Sequence, residues 1–113
     1  MKRTVRLELA NAAARAPVAG QVVLALALAC GTGPLAAERL RRSAEAAAAA
    51  ATGGLTIQAN AQRGALELEL SAVPEDGWAE RVLPILEPHG AVRTPAGVDV
   101  RVQRPSLHRA PDV

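Results

Sequence analysis

The sequence predicts an α+β fold: a two-layer sandwich with helices on one face of a mixed or antiparallel sheet, in the order β-α-α-β-β-α-β-β. Three observations carry this. Stretches such as "TVRLEL" and "ALELEL" alternate apolar and polar residues with a period of two, the mark of half-buried strands. Two segments open on prolines suited to a first helical turn, Pro17 and Pro34, and continue in strong helix formers. Short glycine-bearing links then join the later strands in pairs, as hairpins require.

The first strand, Thr4 to Leu9, sets Val5, Leu7 and Leu9 on one face and Thr4, Arg6 and Glu8 on the other. A helix follows from Pro17 to Cys30. It is apolar nearly all round between Val22 and Ala29, so it should be covered on more than one side. "GTGP" interrupts it, and Pro34, capped by Thr32 or Gly33, starts the second helix, about Pro34 to Ala51. Leu35 and Leu40 are its only large apolar residues, while Glu38 with Arg42 and Arg41 with Glu45 are spaced to pair one turn apart. The alanine run has the highest helix propensity, and Thr52-Gly53-Gly54 should stop it with a glycine in the left-handed cap.

The strands "LTIQAN" and "ALELEL" form a hairpin through "AQRG", with Gly64 at the turn. "SAVPEDG" reads as loop. "WAERVLPILEPHG" is a short helix with Trp78, Val82, Leu83 and Leu86 inward, kinked or shortened by Pro84. A last hairpin, "AVRT-PAG-VDVRVQR", aligns Val98, Val100 and Val102 on one face. One domain therefore spans residues 1–104, and the tail 105–113, "PSLHRAPDV", is expected to be disordered.

At 113 residues, half of them hydrophobic, the chain has room for one modest core. With no Phe or Tyr and a single Trp, that core must be built from Val, Leu, Ile and Ala, which bury little area per residue. A net charge of +2, from 13 basic and 11 acidic residues, is too balanced for a nucleic-acid partner, and no aromatic platform exists for stacking bases. The lone Cys30 excludes an intramolecular disulfide framework and is expected to be a small buried apolar residue. Its setting in "ALAC" after "MKRTVR" loosely resembles a lipoprotein cleavage box, so an exported, lipid-anchored protein starting at Cys30 is an alternative. Ala27 where a larger aliphatic residue is usual, and Glu8 in the supposed basic region, count against it. The apolar run is shorter than the roughly 20 residues that span a bilayer, and the expectation is a cytoplasmic protein without a membrane partner.

The element order, together with local strings, resembles the histidine-kinase-like (GHKL) ATPase fold, in particular the small anti-sigma-factor serine kinases of bacteria. The likeness runs from Val5 to Arg104. It rests on "APVAGQVVLALALACG" as the first helix, "ERLRRSAEAAAAAA" where the family carries Glu-x-x-x-Asn, the hairpin "LTIQANAQRGALELEL", and the closing "AVRTPAGVDVRVQR" with a glycine before its last strand. The resemblance implies a glutamate that orients water, an asparagine that holds magnesium, an Asp-x-Gly-x-Gly segment that reads adenine, and a glycine-rich lid over the phosphates. Phosphoryl transfer depends on such positioned metal and charge.

Those counterparts are absent. Glu45 falls on the family's glutamate, but four residues on stands Ala49; shifting the register by one gives Ala46 and Ala50. Ser71-Ala72-Val73-Pro74-Glu75 occupies the adenine-reading segment, and Asp76-Gly77 lacks the second glycine and reads as a turn. The lid is cut to a few residues. No catalytic, cofactor-binding or metal-ligating residue is assigned, with Glu45 the only remnant. His89 and His108 are the only histidines; His89 reads as a helix-end residue favoured by the dipole. Ser43 and Ser71 are expected to have no nearby base to activate them, and Glu67 and Glu69 share a solvated strand face.

The leading expectation is a nonenzymatic regulator that keeps the family's protein-binding surfaces. The resemblance implies a sigma factor, an anti-sigma antagonist or an intact ATPase subunit as partner, and it also allows a homodimer. Arg39, Arg41, Arg42 and Trp78 are the candidate contacts, although a sole Trp also suits the core. No cofactor is expected. The alternative, an ATP-dependent serine kinase with divergent motifs, needs ATP and Mg and replacement ligands for both.

Overall fold

Alternating strands and alanine-rich helices appear in the predicted order in the computed structural model, which describes residues 3–62 and 64–103. The elements are β1 (Arg3–Leu9), α1 (Ala16–Ala29), α2 (Pro34–Ala49), β2 (Gly54–Gln62), β3 (Ala65–Val73), α3 (Trp78–Leu86), a 3-10 turn (Glu87–His89), β4 (Ala91–Arg93) and β5 (Val98–Gln103). The predicted tail, with His108, lies outside the described residues.

The strands form one sheet in the order β1-β2-β3-β5-β4, and every neighbouring pair is antiparallel. Register follows the alternation read from sequence. Leu7 faces Ile57, Ile57 faces Leu70, and Leu70 faces Val98, which stacks the apolar residues of four strands on one side. Leu66, Leu68, Leu70, Val98 and Val100 are buried there, and Val102 is half-buried. The opposite face carries Arg6, Gln58, Glu69 and Asp99. Strand β3 runs on through Val73, so the first half of "SAVPEDG" is strand rather than loop, because Leu55 and Thr56 extend the ladder to Ala72 and Ser71.

The helices lie over the apolar face, with α2 packed between α1 and α3. The face that α2 buries is Ala37, Leu40, Ala44, Ala47 and Ala48. With methyl groups there, its neighbours come close: a Cβ added at Gly20 of α1 would sit 3.2 Å from the Arg41 backbone oxygen and from Arg41 Cγ. Trp78 fills the space on the other side and is fully buried, as are Val82 and, nearly, Leu86. Pro84 lies inside α3, and the helix ends two residues later.

α2 ends differently from expectation. Ala50 closes it in the right-handed region, and neither Gly53 nor Gly54 adopts a positive φ. Carbonyls freed at the helix end are met by side chains of α3 instead. The Trp78 indole Nε1 donates to the Ala47 carbonyl at 2.9 Å, and Arg81 Nη2 donates to the Ala50 carbonyl at 3.2 Å. Gly53 has another role: a Cβ there would stand 2.5 Å from the Val73 carbonyl oxygen, so the chain can pass this close to β3 only as glycine. No described helix is long and apolar enough to cross a membrane.

Trp78 thus both fills the core and caps α2. Trp78→Ala should destabilise the domain by about 3–5 kcal/mol, and Trp78→Phe, which strands the Ala47 carbonyl in the core, by about 1–3 kcal/mol. Urea unfolding of the two variants separates the packing from the hydrogen-bond contribution.

Candidate functional site

The charged residues of α2 satisfy one another. Arg41 donates through Nε and Nη2 to the two oxygens of Glu38, at 2.9 and 2.6 Å, and through Nη1 to Glu45 Oε1 at 2.7 Å. Arg42 Nε reaches Glu38 Oε2 at 3.4 Å. The hydrogen bonds from Arg41 hold the Glu38 carboxyl below its usual range, and the two carboxylates in turn hold the Arg41 proton more firmly. Arg41 is therefore committed, with 20% of its side chain exposed against 75% for Arg42. Of the three predicted arginine contacts, Arg39 and Arg42 face solvent and Arg41 is occupied within its own helix.

A shallow hollow of about 280 Å³ lies against this face, lined by Ala16, Arg41, Arg42, Glu45, Ala46 and Ala49. It is where the resemblance would put magnesium and nucleotide phosphates. A magnesium ion needs near-octahedral oxygen ligands. Here the one carboxylate, Glu45, is bound to an arginine, and the next turn presents the methyl of Ala49. The second expected segment is equally committed: Ser71 pairs with Thr56 in the sheet, and Glu75 caps α3. Its Oε1 accepts from the Gly77 N–H and its Oε2 from the Ala79 N–H, each at 2.9 Å, which holds its carboxyl below the usual range. Asp76 and Gly77 both take positive φ and turn the chain into α3, the turn read from sequence. These residues do not fit magnesium–ATP.

Trp78, the fourth predicted contact, is fully buried with its N–H given to Ala47, so it serves the core and offers no surface. Cys30 is also buried, and burial pushes its thiol up.

One contact corrects the sequence reading directly. Ser43 Oγ lies 3.0 Å from His89 Nε2, although 46 residues separate them, because α3 and its 3-10 turn fold back beside α2. Ser43 therefore has a base. His89 stands in the last turn of the 3-10 helix, a helix end as read from sequence, and burial there lowers its pKa below the ordinary 6.5. Two features keep the pair structural. Ser43 sits in mid-helix, where the backbone N–H groups are spent on α2 itself and cannot form an oxyanion hole. Among the described residues no carboxylate bonds the other ring nitrogen of His89.

The outer sheet face holds a larger groove, about 430 Å³, lined in part by Arg6, Gln58, Glu69, Ser71, Thr94 and Asp99. Glu69 and Asp99 face each other across β3 and β5, whereas Glu67 pairs with Arg101 at 2.8 Å. This groove escaped the sequence reading because it depends on strand order. Among the described residues no three His, Cys, Asp or Glu side chains are grouped to hold a metal ion. No protein-family model and no curated protein matches the chain.

The Ser43–His89 pair carries a pH dependence. Between the folded and unfolded pKa values of His89 the native state binds fewer protons than the unfolded state, so stability rises with pH and is lost as pH falls below about 6.5. The urea midpoint should drop between about pH 7.5 and pH 5.5, a window set by histidine titration, and His89→Gln should remove most of that drop.

Proposed function

We propose that this chain is a nonenzymatic regulatory domain that works by binding another protein, a degenerate member of the histidine-kinase-like ATPase fold resembling bacterial anti-sigma factors. One observation carries the proposal: the only glutamate left at the family's water-orienting position, Glu45, is tied to Arg41 at 2.7 Å, and Ala49 stands where the resemblance would put the magnesium-binding asparagine. A catalytic glutamate must be free to accept a proton or orient water. One already neutralised by an arginine of its own helix is a structural residue.

Element order supports the lineage, and the polar face of α2 supplies the surface. Arg39 and Arg42 project from α2 as cations directed at solvent, suited to an acidic patch on a sigma factor or on the antagonist that controls it. Such partners act in the cytoplasm, where the proposal puts this domain.

Thermal unfolding with ATP or ADP and magnesium tests the loss of chemistry. A ligand at 100 times its dissociation constant would raise stability by about 2.7 kcal/mol, so the expected result is an unchanged melting temperature, and a magnesium-dependent rise reinstates the kinase reading. Titration calorimetry against sigma factors and antagonists encoded beside the gene tests the regulatory role. One of them should bind, and the Arg39→Glu/Arg42→Glu double variant should weaken it by roughly tenfold or more. Failure of all of them to bind overturns the partner assignment.

A further inference from the structure

Along the outside of α2, exposed residues recur at alternating intervals of four and three: Leu35, Arg39, Arg42, Ala46 and Ala49. At about 100° per residue, these intervals keep them all on one face of the helix. That face is opposite the one that α2 buries through Ala37, Leu40, Ala44, Ala47 and Ala48. Alternation of four and three is the spacing at which one helix receives another along its length. From Leu35 to Ala49 the ridge runs about 21 Å, roughly four turns.

The chemistry of the ridge changes along that length. Leu35 stands at one end, 64% exposed. Residues 30–33 turn the chain from α1 into α2, so Leu28 of α1, 45% exposed, stands at the same end. It lies less than a quarter turn round α1 from Gly20, the residue that meets α2. Arg39 and Arg42 occupy the middle. Arg42 is tied only to Glu38, at 3.4 Å, and can turn outward. At the other end Ala46 and Ala49 join Ala16 in lining the hollow of about 280 Å³. The two charges at that hollow, Arg41 and Glu45, are bound to each other at 2.7 Å, so what it offers a visitor is methyl groups.

We propose that this ridge seats an amphipathic, acidic helix of the partner protein, laid along α2 as in a coiled coil. The inference rests on the reading of this domain as a protein-binding regulator, and it adds the shape and chemistry of what is bound. The occupant presents two carboxylates about one turn apart to Arg39 and Arg42, whose guanidiniums can each donate a parallel pair of hydrogen bonds. It sends one large apolar side chain into the hollow beside Ala46 and Ala49, where the absence of bulk lets the partner backbone come close. A second apolar residue covers Leu35 and Leu28. The apolar ends fix the register of the two helices, and the charged middle turns basic helices away. An acidic surface of any other shape would satisfy the arginines and leave Leu35 and the hollow bare.

Fluorescence anisotropy of the full chain with a labelled synthetic helix tests it. The probe is an alanine-based peptide of about 21 residues, with leucines at both ends of one face and two glutamates between them at the same four-three spacing. It should bind the wild type saturably below about 100 µM. Lysines in place of the peptide glutamates, or a proline at its centre, should each weaken binding by roughly tenfold or more. Ala46→Arg keeps a good helix former at an exposed position and should block the ridge to a similar extent, with circular dichroism confirming the fold. No binding of the acidic helix overturns the proposal. So does equal binding of the lysine or proline peptide, or binding that Ala46→Arg leaves unchanged. A sigma factor or antagonist that binds the wild type and Ala46→Arg alike keeps the regulatory reading and removes the ridge. Peptide binding without any such protein partner keeps the ridge and removes that partner assignment.

Discussion

The thinness of α2 is the constraint on which the remaining structure depends. Its buried face is alanine at four of five positions, so it removes little apolar area from water by itself. What it gains is proximity. α1 approaches at Gly20, and a single indole, Trp78, fills the space beside Ala47. Larger side chains along α2 would push both neighbours away and break the bond from Trp78 Nε1 to the Ala47 carbonyl. In a domain without Phe or Tyr, one tryptophan supplies both the bulk and the cap that an aliphatic residue could not combine.

The same helix explains why its charges are quiet. Arg41 stands between Glu38 and Glu45 at spacings that a helix brings together, and its planar guanidinium can serve both carboxylates at once. Such pairs on a half-exposed face contribute little stability, but they fix the orientation of the Glu38 and Glu45 carboxylates along the helix. The Glu45 carboxylate is paired within its own helix, and the outward charge is left to Arg39 and to Arg42, which Glu38 holds only at 3.4 Å.

Local pattern made most of the fold legible. Alternation marked β1, β3 and β5 and the buried faces of β3 and β5, since period two admits one register against an apolar layer, while β2 and β4 were placed through their hairpin links. Helix starts were marked by proline and by composition. What sequence left obscure was long-range. The end of α2 was assigned to glycine because a cap is usually local, whereas here Trp78 and Arg81, about thirty residues onward, meet its free carbonyls. The base beside Ser43 is hidden from local pattern for the same reason, since His89 reaches it only after α3 turns back. The arginine-committed state of Glu45 was within reach, because the Arg41–Glu45 spacing was already noted as a pair. The outer groove needed β5 to insert beside β3, ahead of β4, and no local signal announces strand order.

These features divide the surface into chemically distinct regions. Strand β1 and the outer flank of α1 share one edge, where apolar side chains stand uncovered beside an open ladder. Arg39 and Arg42 stand exposed on the middle helix of the layer. On one thin helix, with Arg42 partly held by Glu38 at 3.4 Å, the outward charge is modest, so a partner meeting this face would have to draw on shape as well as on charge.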